Sequence, residues 1–357
     1  MNHYIGIDFH KQFSSVAVMD EKGTMIDERK LYHDRSEELT AYFSQFGHNT
    51  NVTLEATRNW YWIVDLLQEH GMNVKLVHAK KARIIAESTI KTDKIDARVL
   101  AHLDRCDFLP QAYISDPQTR SERELLRYHI NLVKIQTSVK NRIHAVLSKH
   151  NIQHNFSDLF GRAGREFLRT MHLPPVFRLE LNGYLELLEN IAAILQRAKK
   201  EIARHCRIWP EATLLTSAPG IGTLTGLLLA AEIADINRFA NCKKLCCYSG
   251  LASSTRQSAN KEFHGRIIKD SNKYIRYAVL EAVPHAIKKD PKLWRFYNKI
   301  QRTKGKNKAR IATARKLLVI IYYMLKHRAP YQVAHNNNMV QVNPRSGLGA
   351  VSATPSI

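Results

Sequence analysis

Residues 4–20, YIGIDFHKQFSSVAVMD, hold two short apolar segments, YIGIDF (4–9) and SVAVMD (15–20). With TMIDERKLY (24–32) they read as three successive strands, the last two joined by a turn at Glu21-Lys22-Gly23. An alternation of helix and strand follows. Ser36 is placed to cap a helix running through Phe46, because a short hydroxyl accepts from the free amides of a helix start. VTLEAT (52–57) reads as a strand, NWYWIVDLLQEHG (59–71) as a helix closed by Gly71, and VKLVHA (74–79) as another strand. Helical patterns then cover 80–88 and 91–104. Parallel strand pairs need helical crossovers, so three strands followed by this alternation predict a ribonuclease-H-like (RuvC-like) α/β domain over residues 1–110.

Beyond Pro110 the pattern turns helical. Residues 118–150 contain no Gly or Pro, and Leu125, Leu132, Val139 and Val146 recur every seven residues, with Ile135 in the intermediate position. A long helix follows, with a short coiled-coil seam, and 178–206 reads as a second one. The region 111–210 is therefore expected to be a helical arm, used either as a subunit contact or as an intrachain bundle. From 211 to 328 a mainly helical domain is expected. It opens on LTSAPGIGTLTGLLLAAEI, whose Pro219-Gly220-Ile221-Gly222 resembles the hairpin of a helix-hairpin-helix, and continues through basic helices at 270–289, 291–302 and 306–328. Gly220 and Gly222 would let backbone amides approach a phosphate; a plain loop between core helices would look the same. The tail, 329–357, rich in Asn, Ser, Gly and Ala, is expected to be disordered.

The chain has 357 residues, 44% of them hydrophobic, enough for two or three cored domains. Its formal net charge is +22, and the excess is concentrated: residues 236–330 carry 23 basic side chains against 4 acidic ones, while 1–100 carry 13 against 14. A block of that charge repels itself unless a polyanion faces it, which makes nucleic acid the leading partner. A solvated basic surface is the bland alternative. The longest apolar run, LLVIIYYML (317–325), is about half of the ~20 residues that span a bilayer, and the N-terminus lacks a signal-peptide pattern. A cytoplasmic protein is expected. The five cysteines show no paired C-x-x-C spacing, so neither a zinc site nor a disulfide framework is expected. Trp60, Tyr61 and Trp62 read as packing residues, as do Trp294, Phe296 and Tyr297.

Four carboxylates stand out in the first third. Asp8 lies within an apolar strand, where an acid is costly unless a cation compensates it. Glu55 ends the fourth strand. Asp93 and Asp96, in KTDKIDA, stand three apart, which puts both on one face of a helix. In a ribonuclease-H-like fold these positions converge at one edge and suit one or two Mg²⁺ (or Mn²⁺) ions, which take oxygen ligands and polarise a phosphodiester. Singly, each has a plain reading as a surface or strand-end acid.

These words, IGIDFHK, LEAT and KTDKIDARVLA, together with PGIGTLTGLLLAAEI, YSGL (248–251) and RIIKDSNKYIRYAV (266–279), resemble the IS110 family of insertion-sequence transposases, which includes the pilin-gene invertases. The resemblance spans residues 3–328. It implies a metal-binding tetrad of Asp8, Glu55, Asp93 and Asp96, and a nucleophilic serine some ten residues after the Tyr of the Y-x-G-L segment. That position is Ser258, although Ala259-Asn260 and Ser253 depart from the family's Gly-Gly and Pro, and Ser249, Ser253 and Ser254 lie nearby. Arg256, Lys261, Arg266 and Lys269 flank Ser258 and could hold a scissile phosphate. The resemblance further implies double-stranded DNA as donor and target, a noncoding bridge RNA, and a dimer or tetramer that shares its site between subunits. The alternatives are a metal-dependent nuclease of the Holliday-junction type, with water as nucleophile, and a nucleic-acid-binding regulator without catalysis.

Overall fold

The structure is a computed structural model that describes residues 3–48, 50–57, 59–78, 93–258, 261–268 and 270–332. It forms two compact units, Met1–Asp116 and Pro117–Ile357.

The first unit is built on a six-stranded mixed sheet. Strands β1 (Tyr4–Phe9), β2 (Phe13–Met19) and β3 (Met25–Tyr32) are followed by helix α1 (Ser36–Ser44), β4 (Asn51–Glu55), α2 (Tyr61–Glu69), β5 (Asn73–Val77), α3 (Asp93–Arg105) and β6 (Gln111–Ala112). The order across the sheet is β3-β2-β1-β4-β5-β6. β1 and β2 are antiparallel, with Gly6 opposite Ala17, whereas β1–β4 and β4–β5 are parallel. The Asp20–Thr24 turn forms as its residues dictate: Gly23 adopts φ +85°, and Thr24 N donates to Asp20 Oδ1 at 2.7 Å. Ser36 does not cap α1. Arg35 holds the N-cap position, its carbonyl accepting from Leu39 N, and Ser36 is already the first helical residue. The helix also stops at Ser44, short of Phe46. The pattern at 80–88 lies outside the described residues.

Ile5, Ile7, Val16, Val18, Val52 and Leu54 are buried in the sheet against Phe43, Ile63, Val64 and Leu67 of α1 and α2. Helix α3 is fastened to the sheet along its length. The buried Asp104 accepts from Thr53 Oγ1 (2.7 Å) on β4 and pairs with Lys75 Nζ (2.6 Å) on β5. Arg98 forms a two-pronged pair with Glu28 on β3. At Gly6 of β1, a Cβ would stand 1.9 Å from Ala97 O and 2.7 Å from Ala101 N. Glycine there lets the helix backbone rest directly on the strand.

Among its described residues the second unit is helical apart from one hairpin. Helices α4 (Pro117–Lys149) and α6 (Pro175–Ile208), of 33 and 34 residues, pack along each other, with α5 (Arg162–Thr170) between them in sequence. At ~1.5 Å per residue each is about 50 Å long. One end of the pair has its own core, in which Val139, Ile143, Val146 and Leu147 meet Leu181, Leu185, Leu188 and Leu168. At the other end Leu126, Ile130, Ile202 and Cys206 join the main core. The heptad reading holds in part. Leu132, Val139 and Val146 are buried, but Ile135 is 48% exposed, because the helix turns Leu126, Ile130 and Ile143 inward instead.

The main core is completed by α7 (Pro210–Leu215), α8 (Thr223–Ile233), α9 (Cys242–Tyr248), α10 (Lys273–Lys289), α11 (Pro291–Lys304) and α12 (Lys306–His327). Asp290 caps α11, accepting from Lys292 N at 2.7 Å and Leu293 N at 3.1 Å, and it also accepts from Tyr331 Oη. Asp290→Ala is expected to lower stability by about 1–2 kcal/mol, read by urea denaturation, because the buried cap leaves both amides unpaired. β7 (Ser253–Ser258) and β8 (Lys261–Ile267) form an antiparallel hairpin that the sequence did not announce. The region from 333 onward, most of the expected disordered tail, lies outside the described residues.

Candidate active site

Asp8 is the penultimate residue of β1 and Glu55 the last of β4. The register pairs Ile7 with Leu54, so the two acids are the next residues along adjacent parallel strands, at the same carboxyl end. Asp93 opens α3 and Asp96 stands one turn on. The docking of α3 described above thus delivers its acidic first turn to the strand ends.

The side chains converge as follows. Asp8, 17% exposed, has Oδ2 3.1 Å from His10 Nε2, and the same nitrogen lies 3.4 Å from Asp93 Oδ2. Among the described residues these three, Asp8, His10 and Asp93, form the one cluster of three or more His, Cys, Asp or Glu groups close enough to share an ion. Burial raises the Asp8 carboxyl above its ordinary value; His10 opposes the shift, and the charges of Asp96 and Asp93 add to it. Asp96 is therefore within electrostatic reach of Asp8, while Glu55 sits half-buried on the neighbouring strand.

Such a cluster is unfavourable for the bare protein. A carboxyl whose folded pKa exceeds its unfolded value of 3.8 keeps more protons in the folded state, so stability falls as pH rises through that window. Without divalent ions, Asp8→Asn is expected to raise the melting temperature near neutral pH. The gain should shrink as pH approaches ~4, where the native carboxyl is itself protonated. A pH series of thermal melts checks this, and a lower melting temperature for Asp8→Asn at neutral pH would contradict it.

His10 is the member that sequence reasoning overlooked. Its signal was its position two residues after Asp8 in GIDFHK, lost among 17 histidines.

In the second unit, Ser258 is the last residue of β7, opposite Lys261, and Arg256 is opposite Phe263. Arg266 is the penultimate residue of β8, while Lys269 lies outside the described residues. The base of the hairpin is firmly held. Ile268 N donates to Ala252 O (3.1 Å), Leu251 N to Cys246 O (2.9 Å) and Asn272 N to Tyr248 O (2.7 Å). Gly250, at φ +70°, has no room for a side chain beside Ile268 O and Arg276.

Beneath that base lies a buried ionic knot. Glu232, 1% exposed, receives Arg127 through Nε (2.9 Å) and Nη2 (3.2 Å), and Asn272 Nδ2 (2.8 Å). Arg123 donates to Ala231 O, and Arg238 to Glu232 O. Asn272 also caps α10, accepting from Tyr274 N and Ile275 N. The AEI, YSGL and SNKY words thus meet in one place.

The glycines of the PGIG turn divide. Gly220, at φ +78°, lies against the backbone of α10, where a Cβ would stand 2.5 Å from Ala282 O, so packing accounts for it. Gly222 has open space around it and precedes α8 with no side-chain cap. Lys292, Arg295, Lys299, Arg302, Lys304 and Lys306 are exposed along α11 and the start of α12. Cys206 and Cys246 are free and buried, and burial pushes the Cys246 thiol up to about 11. No helix among the described residues is long and apolar enough to cross a membrane.

Comparison with known proteins assigns both units. Residues 5–152 match the IS110-type DEDD domain described as "Transposase", and residues 212–298 match "Transposase IS116/IS110/IS902 family". The chain is 36% identical over 361 residues to a protein of the IS117 mini-circle of Streptomyces coelicolor, covering 79% of this chain and 85% of that one. It is 33% identical over 312 residues to the pilin gene-inverting protein of Moraxella lacunata, covering 82% and 86%. The transposase for insertion sequence element IS1111A of Coxiella burnetii is 23% identical over 343 residues, covering 92% and 91%. With two domain models matched in order and two relatives above 30% identical matched over most of their length, the chain belongs to the IS110 insertion-sequence transposases, and is an enzyme of that family.

Proposed function

We propose that this transposase cuts and rejoins double-stranded DNA of its insertion sequence and its target, with Ser258 as nucleophile and a divalent metal, Mg²⁺ or Mn²⁺, held by Asp8, Glu55, Asp93 and Asp96. The observation that carries the reading is the convergence of Asp8 and Asp93 within reach of one ion, with Asp96 within electrostatic reach of Asp8. The donor set fits a hard divalent cation: Asp8 is raised by its own burial and by neighbouring acids, a cost that a cation removes. The strand order, antiparallel through β3-β2-β1 and parallel through β1-β4-β5, supports reading the first unit as ribonuclease-H-like.

When bound, the metal would polarise a phosphodiester and stabilise the charge that develops on it. The chain's own residues do the rest. Asp8 and Asp93 hold the ion, Glu55 and Asp96 complete its charge balance, and α3 fixes the separation of the two pairs. Ser258 forms a bond from its oxygen to phosphorus as one phosphorus–sugar oxygen bond breaks. The serine proton passes to a base, and the departing sugar oxygen takes one up. The phosphoserine link conserves the bond for strand exchange. Arg256, Lys261, Arg266 and Lys269 would neutralise the phosphate. The hairpin's position in an anchored, strongly basic unit supports this role.

The exposed bases of α11 and α12 suit a polyanion, and the family resemblance makes a bridge RNA the guide alongside DNA. Gly222, open at the start of α8, supports a helix-hairpin-helix phosphate contact. The pairing of α4 with α6 supports a helical arm, and the placement of the carboxylates in the first unit and of Ser258 in the second supports a dimer or tetramer in which subunits share sites.

One assay tests the reading. The protein is incubated with Mg²⁺ or Mn²⁺, RNA transcribed from the element's noncoding ends, and a nicked suicide DNA carrying those ends. A covalent protein–DNA adduct is expected that disappears in Ser258→Ala and in Asp8→Ala. Cleavage without an adduct that survives Ser258→Ala but not Asp8→Ala would establish a water-using nuclease instead. Binding with no cleavage would leave a regulator.

A further inference from the structure

The carboxylate cluster contains a nitrogen. His10 follows β1 directly, and its backbone N–H donates to Phe13 O at 3.0 Å, closing the turn into β2. Its ring packs on Phe13, with centroids 4.6 Å apart. Both backbone and ring are thus fixed, and Nε2 is aimed between Asp8 Oδ2 (3.1 Å) and Asp93 Oδ2 (3.4 Å). Neighbouring donors around an octahedral ion at about 2.1 Å are themselves ~3 Å apart, so these spacings suit three ligands of one ion. A neutral imidazole has one proton for its two nitrogens and cannot donate from Nε2 to both acids at full strength.

Building on the metal site proposed above, we propose that His10 Nε2 is a ligand of the ion held by Asp8 and Asp93, and that this nitrogen makes the site select Mn²⁺ over Mg²⁺. The chemistry follows from donor hardness. Mg²⁺ prefers oxygen and gives up water reluctantly, whereas imidazole nitrogen suits transition-metal ions. An all-carboxylate site would discriminate far less. The other role open to His10 is that of a positioning residue, donating to Asp8 without touching the ion.

Metal binding by the full-length protein separates these roles without any activity assay. Mn²⁺ is titrated by electron paramagnetic resonance, with pulsed measurements of ¹⁴N coupling, and Mg²⁺ affinity is read by competition. The native protein is expected to show ¹⁴N coupling to Mn²⁺. His10→Gln should lose that coupling and bind Mn²⁺ about 10-fold more weakly or worse, with Mg²⁺ affinity changed by less than ~2-fold. His10→Ala should behave as His10→Gln, and unchanged thermal melts of the metal-free variants exclude misfolding. Mn²⁺ bound without ¹⁴N coupling, yet lost in Asp8→Asn, would overturn the ligand role of His10 and leave the carboxylate site standing. Mn²⁺ binding indifferent to both His10→Gln and Asp8→Asn would overturn the carboxylate site as well.

Discussion

Gly6→Ala is expected to abolish divalent-metal binding although residue 6 touches no ligand atom. The added methyl would stand 1.9 Å from Ala97 O and 2.7 Å from Ala101 N, and both atoms belong to the backbone of α3 rather than to a side chain that could swing aside. Relief therefore requires the whole helix to lift from β1. Overpacking of this kind costs about 1–3 kcal/mol, and more where backbone meets backbone, so the upper end is expected. The functional loss should be larger than the stability loss. Asp93 and Asp96 occupy the first turn of α3, and lifting the helix draws them away from Asp8, which stays on the strand. Thermal melts and Mn²⁺ titration of the purified variant measure both effects. Gly47→Ala is the control, because nothing lies within 4 Å of the corresponding Cβ; it should leave both readings unchanged. Native-like metal affinity in Gly6→Ala would mean that the metal does not depend on the docking of α3.

Glu232→Ala is expected to give the largest stability loss in the second unit, about 3–5 kcal/mol, since removing one partner of a buried ion pair strands the other. Arg127, 26% exposed and still paired with Glu124, would lose both hydrogen bonds to Glu232, and Asn272 would lose the bond from its Nδ2 while still capping α10. Glu232→Gln retains the shape and one acceptor and should cost less. The full chain unfolded in urea provides the measurement. A loss below ~1 kcal/mol for Glu232→Ala would show that solvent reaches the Arg127 guanidinium. The consequences should extend to the hairpin base, because Asn272 N also holds Tyr248 O and the strands begin five residues after Tyr248.

Much of this was legible in the residues. Alternating apolar positions located β1, β2, β4 and β5 within a few residues, and the absence of Gly and Pro after Pro117 marked α4. The tetrad positions could be written down, and the structure sets Asp8 and Asp93 together, Asp96 within reach of Asp8's charge, and Glu55 on the adjoining strand end. What stayed hidden is physically instructive. The β7–β8 hairpin has few apolar residues, and Phe263 and Ile267 are 62% and 37% exposed, so no buried face imposed an alternation. Glu232 drew no reading from the sequence, because its partner Arg127 lies 105 residues earlier in the chain. Ile135 held the intermediate heptad position while facing outward, for a straight helix drifts against a strict heptad. Gly6 was legible as part of a word, but the word did not say that a helix from ninety residues on would rest upon it.

Helix α3 is tied to four strands, through Gly6 on β1, Glu28 on β3, Thr53 on β4 and Lys75 on β5. It is also the last helix of its unit to leave the ribosome. A nascent chain that has emerged only as far as β5 can own its strands and the carboxylate of Asp8, yet it lacks the helix that brings Asp93 and Asp96. For the proposed metal site, competence to hold an ion would thus be acquired late in synthesis, at the moment α3 seats, and metal occupancy would become a direct readout of whether the first unit has finished folding.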